Sequence, residues 1–258
     1  MKPNSKMVME TSQCVMISGQ CLFYRVACVP CATGMGSPLV LLHGYGVSGA
    51  IWQRVLPLLA QNYQVIVVDL PGYGRSQFTG TWRLREIAPL LARWLQQMEL
   101  RPVVLIGHSM GGAIAIHLTA SVPELIDRLA LVDAAGLPLH AQFPTLAARS
   151  IGSFFQLGNG SFPLQVLHDH LFTSRRLLWQ SAQEIAKSDF RTELAMIAVP
   201  TLIIWGERDL LLPLTLGHEL HTALPHATFV TVPECGHRPM LAKPAMFSQT
   251  VLRFLQQS

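Results

Sequence analysis

The sequence predicts an α/β fold with a mostly parallel sheet covered by helices on both faces. Three observations predict it. Short, almost entirely apolar runs recur at Leu39–Leu42, Val65–Val68, Val103–Ile106, Leu129–Val132 and Thr201–Trp205; such runs are the mark of strands buried on both sides. They alternate with segments of helical spacing, the pattern of strand–helix–strand units. Each run also ends in a glycine or polar loop, at the place where an open parallel sheet binds its ligands.

The elements follow in order. Cys14–Ser18 and Leu22–Cys28 read as a strand pair split by Gly19-Gln20. A Gly/Pro/Ser loop spans Pro30 to Pro38. The Leu39–Leu42 strand ends in His43-Gly44-Tyr45-Gly46, and Ala50–Ala60 has helical spacing through Ile51, Val55, Leu58 and Leu59. Val65–Val68 ends at Asp69, and Leu70-Pro-Gly-Tyr-Gly-Arg-Ser76 follows as a glycine-rich loop. Leu84–Met98 carries Ile87, Leu90, Leu91, Trp94, Leu95 and Met98 on one broad face, as an amphipathic helix does. After the Leu129–Val132 strand the rhythm changes. From Gly136 to about Arg191 there is no strand–loop–helix unit, only helical pieces rich in Phe, Leu and Trp, broken at Gly158-Asn-Gly-Ser161. This stretch, 136–191, reads as a helical insertion into a core of 1–135 and 192–258. Alternation resumes with the Thr201–Trp205 strand, a Pro213–Leu224 helix, a Thr228–Val232 strand and a Pro244–Gln257 helix.

Composition narrows the function classes. The chain has 258 residues, half of them hydrophobic and only 13% charged, which supports a full core and argues against disorder. The net charge is +4 with no run of Lys or Arg, so nucleic-acid binding has no support. No apolar run approaches the about 18 residues of a membrane span. Met1 to Gln20 has no continuous apolar core, so a signal peptide is not expected and a cytoplasmic location is. Five cysteines, an odd number, argue against a disulfide framework. Cys28-Val-Pro-Cys31 lacks the second ligand pair of a zinc site and the helix of a redox motif, so both read as ordinary thiols.

The chemistry centres on Gly107-His-Ser109-Met-Gly111-Gly112. This is a G-x-S-x-G pattern with a buried strand before it and a helix after it, the context that lifts a serine oxygen above a sheet edge. Small residues at 107 and 111 let strand and helix close around the turn. A serine hydroxyl needs a base to become a nucleophile, and the base needs a third group to fix its tautomer. His237, after the last strand, is the candidate base; the other nine histidines are less well placed, with His108 orienting the turn and His168, His170, His218 and His221 expected to face solvent. Asp209, in Gly206-Glu-Arg-Asp209, is the first candidate for the third group, giving the chain order Ser, Asp, His. Asp133 and Glu207 compete with it. The developing oxyanion needs donors placed in advance, expected at the backbone N–H groups of Met110 and Tyr45, with His43 bracing the Tyr45 loop.

Together, His43-Gly-Tyr-Gly46, Asp69-Leu-Pro-Gly-Tyr-Gly-Arg-Ser76, Gly107-His-Ser-Met-Gly-Gly112, Gly206-Glu-Arg-Asp209 and Gly236-His237 resemble the α/β-hydrolase family. The match covers nearly the whole chain apart from the insertion. Within the family the chain is similar to small serine carboxylesterases, to meta-cleavage C–C bond hydrolases and to pimeloyl-carrier methyl ester esterases. The resemblance implies an eight-stranded sheet with a cap (lid) over the site, and the nucleophile, acid and base roles for Ser109, Asp209 and His237. A serine at 109 argues against dehalogenases and epoxide hydrolases, which use Asp.

The expected activity is hydrolysis of a mainly apolar carboxylic ester through an acyl-enzyme on Ser109, with no metal or organic cofactor required. The small-molecule ester is the expected partner. The aromatic residues of the insertion, Phe143, Phe154, Phe172 and Trp179, are candidates for the substrate pocket. Its charges between Gly136 and Phe190, four basic (Arg149, Arg175, Arg176, Lys187) against three acidic (Asp169, Glu184, Asp189), give no clear basic patch for an acidic carrier protein. Rival readings are C–C cleavage of a vinylogous diketone by the same residues, a perhydrolase, and a small-molecule receptor on the same fold.

Overall fold

The computed structural model describes residues 7–29, 36–138 and 162–257. Eight strands form one sheet in the order β1-β2-β4-β3-β5-β6-β7-β8. They are β1 (Met9–Ile17), β2 (Gln20–Cys28), β3 (Leu39–Leu42), β4 (Val65–Val68), β5 (Val103–His108), β6 (Ile126–Val132), β7 (Thr201–Gly206) and β8 (Thr228–Val232). β1, β2 and β4 pair antiparallel, and every pairing from β4 through β3 to β8 is parallel. The helices are α1 (Leu56–Leu59), α2 (Leu84–Gln97), α3 (Met110–Ser121), α4 (Phe162–Phe172), α5 (Arg175–Ala186), α6 (Arg191–Leu194), α7 (Leu214–Ala223), α8 (Pro239–Ala242) and α9 (Pro244–Leu255). Among the described residues no helix is long and apolar enough to cross a membrane.

The apolar runs become strands for the reason the sequence suggests. β3, β4, β5 and β7 are buried at every position, so both faces of the sheet feed a core. One core holds α2, α3 and the Trp82, Trp94 and Tyr73 side chains; the other holds Trp52, Phe247 and Met240. α3 is buried almost all round, from Met110 to Ala120, which fits a helix packed between the sheet and α2.

Three expectations need correction. The first hairpin is longer than Cys14–Ser18 and Leu22–Cys28, and it turns at Ser18-Gly19, not Gly19-Gln20. Both turn residues have positive φ (51° and 79°), the backbone a two-residue hairpin demands. The hairpin also brings Cys14 and Cys21 together as a disulfide, so two of the five cysteines are paired although the count argued against it; Cys31 lies outside the described residues. The single Ala50–Ala60 helix is two pieces, a 3₁₀ turn at Gly49–Trp52 and α1. Pro57 has no N–H to donate and its fixed φ suits the first turn of a helix, so the α-helix starts at Leu56.

Between β6 and β7 the described residues contain α4, α5 and α6 and no strand. α5 packs on the loop before α2: Glu184 accepts from the Leu84 N–H at 3.1 Å and Gln180 from the Trp82 N–H at 3.3 Å. Ser181 on α5 bonds the Tyr73 hydroxyl at 2.6 Å, tying this stretch to the loop after β4.

Candidate active site

Four loops meet above the carboxyl ends of the strands. β5 ends at His108, and Ser109 sits in the turn to α3 with φ 53° and ψ −118°. A non-glycine residue in that region is strained and persists only where its surroundings enforce it. Here they do. The Ser109 N–H donates to the Val132 carbonyl at 3.0 Å, and the Ser109 carbonyl accepts from Gly112 and Ala135. Close approach explains the glycines. A Cβ on Gly107 would lie 2.5 Å from the Gly111 carbonyl oxygen, and one on Gly111 would lie 2.6 Å from the carbonyl oxygens of Leu42 and His43.

The side chains of Ser109, His237 and Asp209 form one hydrogen-bonded chain, and all three are buried. His237 Nε2 is 3.0 Å from Ser109 Oγ, and His237 Nδ1 is 2.6 Å from Asp209 Oδ2. The other carboxylate oxygen of Asp209 accepts from the N–H groups of Leu211 (2.8 Å) and Leu212 (3.0 Å). A carboxylate so held can only accept from the ring, so Nδ1 carries the proton and Nε2 faces the serine as an acceptor.

The two competitors of Asp209 point elsewhere. Glu207 accepts from the Glu234 N–H at 2.8 Å. Asp133 accepts from the Gly206 N–H at 2.8 Å, bracing the start of the Asp209 loop, while its second oxygen is buried and has no hydrogen-bond partner among the described residues. Burial, and then the charge of Asp209, push the Asp133 carboxyl well above the usual carboxylate range. Beside them the Arg238 guanidinium is pulled down to about 10 by burial, against the attraction of Asp209 and Asp133. Asp133, Asp209 and His237 bring ligand-type atoms within 4.8 Å of one another. Their donor set is already committed to the His237–Asp209 bond, so it does not offer an open metal site.

Two histidines shape the turns. His43 accepts from the Leu70 N–H through Nε2 at 2.9 Å and donates from Nδ1 to the Gly44 carbonyl at 2.8 Å, which ties the loop after β3 to the loop after β4. His108 donates from Nε2 to the His237 carbonyl at 2.8 Å. Burial holds both rings below the usual histidine range, in His108 reinforced by the neighbouring His237. His108 thus holds the His237 backbone while its other nitrogen packs on Gly44, 2.9 Å from where a Cβ would stand. Among the described residues no protein group accepts the backbone N–H of Tyr45 or Met110.

Ser109 opens onto a cavity of about 240 Å³, lined by Tyr45, Val47, Val166, Leu167, His170 and Leu211 beside His108, His237 and Arg238. Sequence reasoning missed most of this wall. α4 turns Val166, Leu167 and His170 toward Ser109, so His170 faces the cavity and packs on Gly46 rather than standing in solvent alone. Phe172 and Trp179 are not brought there. Phe172 is on the other side of α4, 78% exposed, at a second cavity of about 360 Å³ with Phe23, Arg75 and Asp169. Trp179 is 59% exposed because α5 buries Leu177, Leu178 and Ser181 instead. Helical spacing alone could have separated Val166 and His170 from Phe172, since four residues share a face and two do not. Phe143 and Phe154 lie outside the described residues.

This fold, with a serine in a strand–turn–helix elbow, matches the alpha/beta hydrolase family model over residues 39–250. The chain belongs to that family. It is 30% identical over 247 residues to a pimeloyl-[acyl-carrier protein] methyl ester esterase of Yersinia enterocolitica, covering 85% of this chain and 93% of the relative. Among solved structures it is similar to an esterase from Exiguobacterium antarcticum (TM-score 0.84, 23% identity, 96% of this chain and 100% of the other). It is also similar to a meta-cleavage product hydrolase from Pseudomonas fluorescens (TM-score 0.81, 20% identity, 94% and 96% covered). At those identities the two structures speak to the fold alone.

Proposed function

We propose that the protein is a serine esterase that cleaves a mainly apolar carboxylic ester by acyl transfer. The observation that carries the reading is the buried Ser109–His237–Asp209 chain of hydrogen bonds, with distances of 3.0 and 2.6 Å. His237 Nε2 takes the Ser109 proton as Oγ attacks the ester carbonyl, and Asp209 stabilises the imidazolium that forms. The negative oxygen of the tetrahedral intermediate accepts from the backbone N–H groups of Met110 and Tyr45. His237 then gives its proton to the leaving alkoxide. Water, deprotonated by the same ring, releases the acid from Ser109.

The substrate class follows from the cavity. Its wall of Val47, Val166, Leu167 and Leu211 favours an apolar acyl group, and about 240 Å³ favours a short one. In this reading residues 136–191 are a cap over the core of 1–135 and 192–258. A methyl ester carried on a protein is the second reading, favoured by the name of the Yersinia relative. The test is hydrolysis of p-nitrophenyl esters from acetate to dodecanoate by the wild type and by Ser109→Ala. Activity that peaks at a short chain and vanishes in the variant supports the proposal. Undiminished turnover by Ser109→Ala refutes it.

A further inference from the structure

One contact ties the stretch between β6 and β7 directly to the loop that carries Tyr45. Asp169, on α4, is buried at 8% exposure, and its Oδ2 accepts from both the Ser48 N–H (2.9 Å) and the Ser48 hydroxyl (2.6 Å). Its Oδ1 accepts from the Gln165 side-chain amide at 2.7 Å. A buried carboxylate is retained only where its lone pairs are satisfied, and three donors at these distances do so. Two of the three come from one residue 121 positions away. The next N–H along, that of Gly49, donates at 2.8 Å to Asp69 at the end of β4. Two carboxylates therefore hold consecutive amides of the same loop, one from the sheet and one from α4. His170, the neighbour of Asp169, grips the loop again: its Nδ1 lies 2.9 Å from where a Gly46 Cβ would stand, and its ring meets Tyr45 edge to face at 6.3 Å.

We propose that Asp169 is a positioning residue whose grip on Ser48 couples the seating of α4 over the cavity to the placement of the Tyr45 N–H. The inference rests on the acyl-transfer reading of Ser109. Without α4 in place, the loop from Tyr45 to Ser48 keeps its sheet-side tether at Asp69 and His43 but loses the tether on its cavity side. The donor for the oxyanion then becomes mobile when it is needed, in the transition state. The effect must fall on turnover, because a donor aimed at the oxyanion acts there and not on the bound ester.

The experiment compares Asp169→Ala, Asp169→Asn, Ser48→Ala and Ser109→Ala on p-nitrophenyl butanoate, with thermal unfolding run on each. Asp169→Ala is expected to lower kcat by about tenfold or more with KM nearly unchanged. Asp169→Asn restores most of the loss, since its amide oxygen still accepts from Ser48. Ser48→Ala, which keeps the N–H contact, loses less, and the double variant Ser48→Ala/Asp169→Ala is no worse than Asp169→Ala alone. Inhibition by an alkyl boronic acid, whose tetrahedral adduct occupies the oxyanion position, weakens in step with kcat. Unchanged kcat in Asp169→Ala, a rise in KM alone, or Asp169→Asn as impaired as Asp169→Ala overturns the proposal. Should Asp169→Ala fail to fold, wild-type kcat in Ser48→Ala overturns it. Activity retained by Ser109→Ala defeats the acyl-transfer reading itself. Activity lost there but intact in Asp169→Ala and Ser48→Ala defeats only the positioning role.

Discussion

Replacing Gly111 by alanine should cost both stability and turnover, by amounts that the backbone spacing sets. Gly111 lies in the first turn of α3, where that helix crosses the end of β3. Its added Cβ would stand 2.6 Å from two carbonyl oxygens, of Leu42 and His43, and 2.9 Å from the Leu42 carbonyl carbon. None of these is a flexible side-chain tip, so helix and strand must part by about 0.4–0.8 Å to reach the 3.0–3.4 Å of tight but real contacts. Overpacking of this kind costs about 1–3 kcal/mol. In a domain of this size that lowers Tm by about 2–4 °C per kcal/mol, or about 2–12 °C in all. The same displacement separates Ser109 from the His43–Tyr45 turn. Since a misplacement of about 1 Å can cost about a hundredfold in rate, about tenfold is expected for half that shift. Thermal unfolding by circular dichroism and steady-state hydrolysis of a p-nitrophenyl ester read the two effects. A variant with wild-type Tm and wild-type kcat would show that the strand, helix and loop are not in this contact, and the reasoning would fail.

Asp209→Asn should keep the fold, because its amide oxygen still accepts from Leu211 and Leu212. Its NH₂ would then face His237 and force the proton onto the nitrogen beside Ser109, the tautomer that cannot act as base. In the serine-protease case the same change costs about 10⁴-fold, and a kcat loss below about tenfold here would remove Asp209 from that role. Asp133→Asn should make stability less sensitive to alkali. The folded carboxyl holds its proton above the pH at which the unfolded one releases it, so wild-type stability is full below the unfolded pKa and is lost as pH rises toward the folded value. The Tm difference between variant and wild type should therefore move in the variant's favour as pH rises above about 4, the carboxylate reference value; a constant difference would contradict the raised pKa. Acidification should act through His43 and His108, both held neutral by burial. Stability falls as pH drops below about 6.5, where the unfolded rings gain protons, by up to about 1.4 kcal/mol per pH unit per ring. A urea-unfolding midpoint that does not shift between pH 7 and pH 5 would refute this.

Much of the fold was legible because parallel strands buried on both faces leave nothing to interpret. Val65–Val68 and Leu129–Val132 can only be interior, and the loops that follow them fall at one sheet edge. The Ser109 turn was legible for a related reason. A Cβ added at Gly107 or Gly111 would stand only 2.5–2.6 Å from other backbone, so the motif records a steric demand that the flanking elements create. The hairpin ends and the start of α1 were misread because local turn chemistry, positive φ at Ser18 and the missing N–H of Pro57, overrides a smooth hydrophobic pattern. The cavity wall was the least legible part. Phe172 and Trp179 look like pocket residues by type, but which face of α4 or α5 meets Ser109 depends on contacts across more than a hundred positions. Ser48 and Asp169 form such a contact, and neither lies in a motif. Asp133 stayed a rival to Asp209 in sequence because each lies in the loop after a buried strand. Only the direction of the Asp209 carboxylate, set by Leu211 and Leu212, separates them.

In the proposed reaction Ser109 is the nucleophile and His237 its base. Treating the protein with a fluorophosphonate, which phosphonylates an activated serine with loss of fluoride, tests it most directly. Intact-mass and peptide mapping should find one adduct, on Ser109, formed in step with the loss of esterase activity and nearly abolished in His237→Ala. Full inactivation with Ser109 unmodified, or an unmodified protein that hydrolyses esters normally, would contradict the account.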